Sequence, residues 1–564
     1  MQIVGVGMVL NGAEIVIEEL VAHGVDTVFG YPGGFVIHLY DELYKNSHRI
    51  THVLSAHEQG AAHAADGYTR VSGRSGVVIA TSGPGATNLV TGIANAYLDS
   101  VPVVFITGNV PVPMLGRDAF QEIDIASVTQ PIVKHNYVVK DVKDLQRTLK
   151  EAFLIAQSGR KGPVLVDIPR SAQIDSCEYD PDMRVSLAYP AKTTRNVDAM
   201  DKALAAIEKS ERPYIYCGGG VTASDTGAYV LELSRKLGAP VGLSMMGIGA
   251  VPNGYELNLG MCGMHGRYAS TVAQSEADIV IALGVRFSDR ATGNTKEYSK
   301  NCTVIHVDID AAEIGKNVGP QISLCGDLKE ILPMLVGGTG RRPAGEWQDR
   351  VRELQAAGNT LLGGDPADGT LTPRNVIDCV NSYFDDDTAV ATDVGQHQMW
   401  VAQNYRFEKP RRLITSGGLG AMGFGLGAAI GACMANGRKR TILFTSEGSF
   451  GMNLNELATA VTQNLPILVV LLNNGVLGMV RQWQTLFFDK RYSQTVLERR
   501  TDFPALARAF GAQGFSAGNL DELNKAMKSL PDNGPSLIDC RIGRDEKVLP
   551  MIPPGGSAKD IITK

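Results

Sequence analysis

The sequence has no excess of positive charge. Its 53 lysines and arginines stand against 59 acidic residues, a net charge of −6, so it carries no basic footprint for nucleic acid. It has no CxxC pair: the eight cysteines, from Cys177 to Cys540, are scattered. That speaks against a zinc site or a disulfide framework and suits a reducing cytoplasm. The opening MQIVGVGMVLNGAEIV lacks the basic flank of a signal peptide, and Glu14, Glu18 and Glu19 follow at once, so export is not expected. Residues 415–437 lack charge and are long enough to span a bilayer, yet eight of them are glycine. This favours close backbone packing over lipid, and the expectation is a buried, cofactor-facing helix with no membrane span. Four of the ten histidines gather at His48, His52, His57 and His63. No acidic or thiolate third ligand stands at helical register, so a metal site is not expected there.

What is present is organised around residues 441–483. Thr441 to Thr445 and Ile467 to Leu472 are β-branched-rich apolar runs without alternation, the pattern of parallel strands buried on both faces. Leu454, Leu457, Ala458 and Val461 recur between them at helical spacing, and Asn464 with Pro466 ends that helix. The unit is βαβ, so Glu447 and Asn474 emerge at the same sheet edge, where open α/β sheets bind ligands. A carboxylate, a carboxamide oxygen and the carbonyl groups near Gly475 and Val476 are hard ligands suited to magnesium holding a diphosphate. Gly448 and Ser449 would let backbone N–H groups approach the phosphate. Read singly, each feature is equally a strand end or a turn of a purely structural βαβ unit.

Length predicts about three domains. The first, over 11–178, opens with a helix at 13–23 and carries glycine turns at strand-to-helix junctions, Pro32-Gly33-Gly34 and Ser82-Gly83-Pro84-Gly85, where a ligand can approach the backbone. Glu58 opens an alanine-rich helix. The expectation is a buried carboxyl group with its pKa raised toward the range of a proton relay, against the alternative of an ordinary first-turn Glu. Residues 178–195 read as a linker. In the second domain, 195–336, strands run into Gly218-Gly219-Gly220, into GVRFSDR with Gly284 and Arg286, and into Asp308 and Asp310. Three such ends at one edge could hold a dinucleotide or form a purely structural Rossmann-like sheet. A Gly/Pro-rich, charged link over 337–371 precedes the third domain, 372–541. A tail over 542–564 is able to close over a site as a lid.

The chain resembles a known family. Residues 446–474 resemble the thiamin diphosphate motif, Gly-Asp-Gly, about 27 residues, then Asn-Asn: here 474 − 447 = 27, with Ser446 and Glu447 in place of the first Gly and the Asp. GYPGG, TSGPGATNLVTGIANAYLDSVPVV, GRDAFQE, GRKGPVLVDIPR, GMHG, GVRFSDR, TDVGQHQMW and GGLGAMGFG resemble the catalytic subunits of acetohydroxyacid synthase, across nearly the whole chain. The resemblance implies a thiamin diphosphate-binding α/β fold of three doubly wound parallel-sheet domains, in the order pyrimidine-binding, FAD-binding and diphosphate-binding. It implies that Glu58 hydrogen-bonds the aminopyrimidine. Pro32, Gly33, Gln396, His397, Gly420, Met422, Gly448 and Ser449 would hold the rest of thiamin diphosphate, with Mg2+ on Glu447, Asn474 and Val476. A structural FAD is implied on Arg160, Gly218, Gly219, Gly220, Met264, His265, Gly266, Gly284, Arg286, Asp308 and Asp327. Phe120, Gln121 and Arg170, the last where the family has Lys, are implied at the catalytic pocket; Ala56 replaces the family's Arg beside Glu58. Arg290, Trp483, Met479 and Val394 would bind the second substrate.

The implied reaction joins the two-carbon unit of decarboxylated pyruvate to a second pyruvate or to 2-oxobutanoate, on the path to branched-chain amino acids. Active sites between subunits of a homodimer or homotetramer, and a small regulatory subunit, are implied partners. A pyruvate oxidase or another carboligase of the same layout is the alternative enzyme reading. A homologue with impaired cofactor binding, motivated by Ser446, Glu447, Arg170 and Ala56, is the non-catalytic one.

Overall fold

A computed structural model describes residues 8–187, 197–300, 302–361, 366 and 368–564. The first seven residues, and parts of the two linkers expected at 178–195 and 337–371, lie outside the described residues.

Three six-stranded parallel sheets form the protein. The first runs Thr51–Leu54, Thr27–Tyr31, Gly76–Ala80, Val103–Asn109, Val164–Pro169, His135–Val138 across its width. The third repeats that order with Leu413–Ile414, Ala389–Thr392, Thr441–Thr445, Ile467–Asn473, Ser536–Arg541 and Gln513–Ala517. Numbered within each sheet, both read 2-1-3-4-6-5. The middle sheet differs. Asn258–Met261, Val241–Leu243, Pro213–Cys217, Ile279–Leu283, Thr303–Asp308 and Ile322–Cys325 read 3-2-1-4-5-6, the strand order of dinucleotide-binding sheets.

The apolar runs explain the strands. Ile442 to Phe444 and Ile467 to Leu471 are fully buried, paired Thr441 to Ile467 through Thr445 to Leu471. Each large side chain so buried stabilises the sheet by about 1.5–3 kcal/mol. In every sheet the strand order reverses beside the first strand, and a crevice opens beyond the carboxyl ends there. Those crevices lie between Tyr31 and Thr81, between Gly218 and Gly284, and between Asp393 and Ser446. The glycine turns and acidic residues singled out in the sequence stand at these three places.

The charge-free segment 415–437 forms a helix only from Phe424 to Ala435, and it is buried. None of its residues lines the cavity described below. It packs along the helix Glu58–Ser72, whose His63 ring meets Phe424 edge-on at 5.1 Å. The glycines make this possible. A Cβ at Gly431 would lie 1.7 Å from the Ala64 carbonyl oxygen, and one at Gly67 2.1 Å from that of Ala428, so the two backbones touch directly.

The linker expected from residue 178 begins later, because Ser176–Tyr179 pairs antiparallel with Met8–Asn11. The tail lies against the body of the protein. Val548 and Met551 are buried, Gln482 Nε2 donates to the Val548 carbonyl at 3.1 Å, and the Ile552 amide donates to the Met264 carbonyl at 2.8 Å.

Candidate active site

At the carboxyl edge of the third sheet the strand Thr441–Thr445 passes through Ser446 straight into a helix, Glu447–Asn453. Ser446 sits at φ −134°, ψ 166°, ordinary extended backbone that needs no glycine. No side chain caps this helix, so the Gly448 and Ser449 amides in its first turn remain available to an anion. Met422 comes within 3.7 Å of where a Gly448 Cβ would lie.

Glu447 is only 4% exposed. Its Oε1 accepts the Val476 amide at 2.9 Å, while its Oε2 is buried without a hydrogen-bond partner. Burial pushes the carboxyl group up to about 7. Asn474 stands beside it: its Nδ2 donates to Gln396 Oε1 at 3.3 Å, and its Oδ1 receives the same Val476 amide at 3.3 Å. A buried carboxylate oxygen without a donor, next to a carboxamide oxygen and the carbonyl groups of a turn, is the donor set of a hard cation. The residues present fit magnesium. Among the described residues no three His, Cys, Asp or Glu side chains gather as a metal cluster. In the histidine segment His52 meets Tyr40 Oη at 2.9 Å.

Around this pair the structure holds its neighbours firmly. Gln396 Nε2 donates to Gln482 Oε1 at 3.0 Å and to the Glu546 carbonyl at 2.8 Å. His397 is buried, with Nε2 unpartnered, and burial pulls its pKa down to about 3, so the ring is neutral at working pH. Ser449 Oγ donates to the Val394 carbonyl at 2.7 Å. Two participants escaped the sequence reading. Asp393 accepts the Gly423 amide at 2.8 Å and the Thr445 hydroxyl at 3.2 Å, pinning the switch point, and burial raises its carboxyl to about 6. Gln482 links Gln396 to the tail. Only the position of Asp393 at a strand end hinted at a role; nothing marked Gln482.

From Val394 and Gly420 a cavity of about 1730 Å³ extends to the middle sheet. That exceeds the roughly 300–1,000 Å³ of a single small-molecule site and leaves room for two ligands. Gly218, Gly219, Gly220, Gly284, Arg286, Met264, His265, Arg160, Asp308 and Asp327 line its far part; Gly266 follows in the same loop. A Cβ at Gly218 would lie 2.0 Å from the Gly284 carbonyl oxygen, so bare backbone forms the cavity wall. The strand order, this wall and the unpartnered, buried His265 Nδ1 fit a dinucleotide such as FAD. Near the mouth, the Arg290 guanidinium lies 5.6 Å from the centre of the Trp483 ring, beside Met479. The structure therefore brings Arg290, Trp483 and Met479 together, and Val394 lines the same cavity.

The first sheet's edge gathers a separate group. A Cβ at Gly33, next to Pro32, would lie 2.5 Å from Thr81 Cβ, and one at Gly85 3.2 Å from Glu58 Oε1; Gly83 packs on Gln121. Glu58 Oε2 accepts from Asn88 Nδ2 at 2.9 Å. The residue is half-buried rather than buried as expected from its helix. Phe120 is 82% exposed, and Arg170 is exposed at the start of its helix. None of Pro32, Gly33, Glu58, Phe120, Gln121 or Arg170 lines the cavity. A carboxylate missed in the sequence, Glu456, crosses from the third sheet's layer to accept the Ala56 and His57 amides at 3.2 and 2.9 Å.

Comparison with known proteins agrees with this geometry. Family models of the thiamine pyrophosphate (thiamin diphosphate) enzymes match the N-terminal TPP binding domain over residues 10–128, the central domain over 200–335 and the C-terminal TPP binding domain over 393–540. The chain is 41% identical to the acetolactate synthase isozyme 1 large subunit of Escherichia coli (strain K12), covering 98% of this chain and 97% of that one. It is 42% identical to the isozyme 2 large subunit of the same organism, over 98% and 100%. It is 41% identical to the acetolactate synthase large subunit of Lactococcus lactis, over 98% and 96%. The chain belongs to the thiamine pyrophosphate enzymes and, among them, to the acetolactate synthase large subunits.

Proposed function

We propose that this protein decarboxylates pyruvate and joins the two-carbon unit to a second pyruvate or 2-oxobutanoate, forming acetolactate or acetohydroxybutyrate for branched-chain amino acid synthesis. The observation that carries the reading is the buried, partnerless Glu447 oxygen beside Asn474, at the sheet edge from which Met479 and Trp483 reach the two-ligand cavity. Bound thiamin diphosphate supplies the electron sink for decarboxylation and carbon–carbon bond formation.

Every other step belongs to the chain. Glu447, Asn474 and the Val476 carbonyl hold the cation, and Gly448, Ser449, Gln396 and His397 hold the diphosphate. Glu58 would exchange a proton with the aminopyrimidine of bound thiamin diphosphate, while Phe120, Gln121 and Arg170 would close the pocket over substrate. Arg290 binds the carboxylate of the second substrate, and Trp483 packs on the extra methyl group of 2-oxobutanoate. The glycine wall, Arg160, Arg286 and Asp308 would hold FAD in the far part of the cavity as a structural group. In this reading residues 11–178, 195–336 and 372–541 are the pyrimidine-, FAD- and diphosphate-binding domains, and 542–564 closes over the site.

None of the Glu58 group lines the cavity that Met479 and Trp483 reach, and the reading has each active site completed by the first domain of a second copy, in a homodimer or homotetramer. It places the enzyme in the cytoplasm, with a small regulatory subunit as a further partner. The test is acetolactate formation from pyruvate with thiamin diphosphate and magnesium, with and without FAD. Anaerobic bleaching of the flavin by pyruvate, with no acetolactate, would instead make the protein an oxidase.

A further inference from the structure

A three-residue turn joins all three sheets at the wall of the cavity. Leu98, Asp99 and Ser100 close the helix Val90–Leu98 and line the cavity side by side. The Leu98 carbonyl accepts from Arg286 of the middle domain. Ser100 Oγ accepts from Arg160 Nε at 2.9 Å, and the same guanidinium donates to Glu313 at 2.6 Å. Asp99 faces the third domain: its Oδ1 accepts the Gly418 amide at 2.7 Å, its Oδ2 the Gly417 amide at 3.0 Å. Arg70 Nη2 supplies the counter-charge at 2.8 Å, and the Asp99 side chain is wholly buried.

The fit leaves no slack. A Cβ at Gly418 would lie 2.9 Å from Asp99 Oδ1, 3.0 Å from Leu98 Cβ and 3.2 Å from Arg286 Nη2. Ser100 is held at φ 59°, a region uncommon for residues with a Cβ. Arg286, Arg160 and the Gly417–Gly420 turn all line the cavity; in the reading above the two arginines face its flavin part and the glycine turn its thiamin diphosphate part. Two regions whose residues grip one tightly packed turn around a buried carboxylate cannot be ordered independently.

We propose that Asp99 is a positioning residue that couples the two halves of the cavity, so that filling the flavin part tightens binding in the thiamin diphosphate part and the reverse. The inference rests on the two-cofactor reading above. Its test uses the full-length protein. FAD affinity is read by flavin fluorescence with and without saturating thiamin diphosphate and Mg2+, and thiamin diphosphate affinity by calorimetry with and without FAD. In the parent each cofactor should tighten the other by the same factor, at least about 5-fold. Asp99→Asn keeps the shape but presents one oxygen to the two glycine amides, and should bring that factor below about 2-fold. A merely structural role would weaken both affinities and leave the factor unchanged, which overturns the proposal. So does a parent without coupling. Should Asp99→Asn not fold, Ser100→Ala carries the test, because losing the Arg160 anchor must also lower the factor; an unchanged factor there overturns the proposal equally. Failure of FAD to bind the parent at all overturns the two-cofactor reading and this inference with it.

Discussion

The first and third sheets share one strand order and present their crevices at equivalent places, yet they are finished to different degrees. At the third, Glu447, Ser449 and His397 are 4%, 0% and 2% exposed, and Gln396 is gripped by two partners. At the first, Glu58 is half-buried and Phe120 is 82% exposed. One edge has its packing built in around the Glu447 carboxylate. The other offers reactive and apolar side chains outward, toward whatever covers them. Under the proposed function, proton transfer at Glu58 needs a dry environment that this edge does not make from its own chain, and a second copy supplies it.

The largest expected effect falls on the open edge. Glu58→Gln keeps the shape and loses the exchangeable carboxyl proton, so acetolactate formation should drop by about 10²–10⁴-fold. Thiamin diphosphate affinity measured by calorimetry should stay close to the parent's; activity near the parent's would remove Glu58 from proton transfer. Next comes Trp483→Leu, which withdraws the ring under Arg290. In a mixed pyruvate and 2-oxobutanoate assay the product ratio should shift by about 10–200-fold, the worth of one methylene in a fitted pocket, with total rate changing less. An unshifted ratio would put the discriminating surface elsewhere.

At the closed edge, pH is the probe. Burial holds the Glu447 carboxyl near 7, and magnesium requires it ionised. Protons therefore compete below that value: magnesium-dependent cofactor affinity should fall about tenfold per pH unit going down and level off above it. Glu447→Gln should bind weakly at every pH, and a parent titration flat from pH 5.5 to 8, about one unit or more either side of the shifted value, would contradict the assignment. The smallest effect is expected for Ser446→Gly. Since Ser446 is in extended backbone, the change should alter magnesium saturation by less than about twofold. A large gain would mean that Ser446 does strain the turn, and would revive the impaired-homologue reading.

Much of this was legible in the chain because the signals are local. The strands Thr441–Thr445 and Ile467–Asn473 declare themselves by unbroken apolar runs, and Glu447 and Asn474 by their place just beyond them. The parts that were not legible depend on distant partners. Glu456 bonds to amides about 400 positions away, and Asp99 to glycines 318 and 319 away; no periodicity encodes such meetings. The burial expected for Glu58 failed for a related reason. Its helix is alanine-rich and buried along most of its length, but burial at the first turn is decided by what lies beyond the helix end.

The glycine seam between Glu58–Ser72 and Phe424–Ala435 bears on how substrate gets in. With a Gly431 Cβ excluded by the Ala64 carbonyl and a Gly67 Cβ by that of Ala428, the two helices are keyed to each other, backbone to backbone, and neither can slide or roll without collision. The first and third domains of one chain thus behave as a single frame of fixed width. In the reading proposed above, opening and closing fall to the parts hung on that frame, the loop around Phe120 and the tail after Arg541. An alanine at 67 or 431 would therefore wedge the frame apart and damage both edges together, however far those positions lie from any reacting atom.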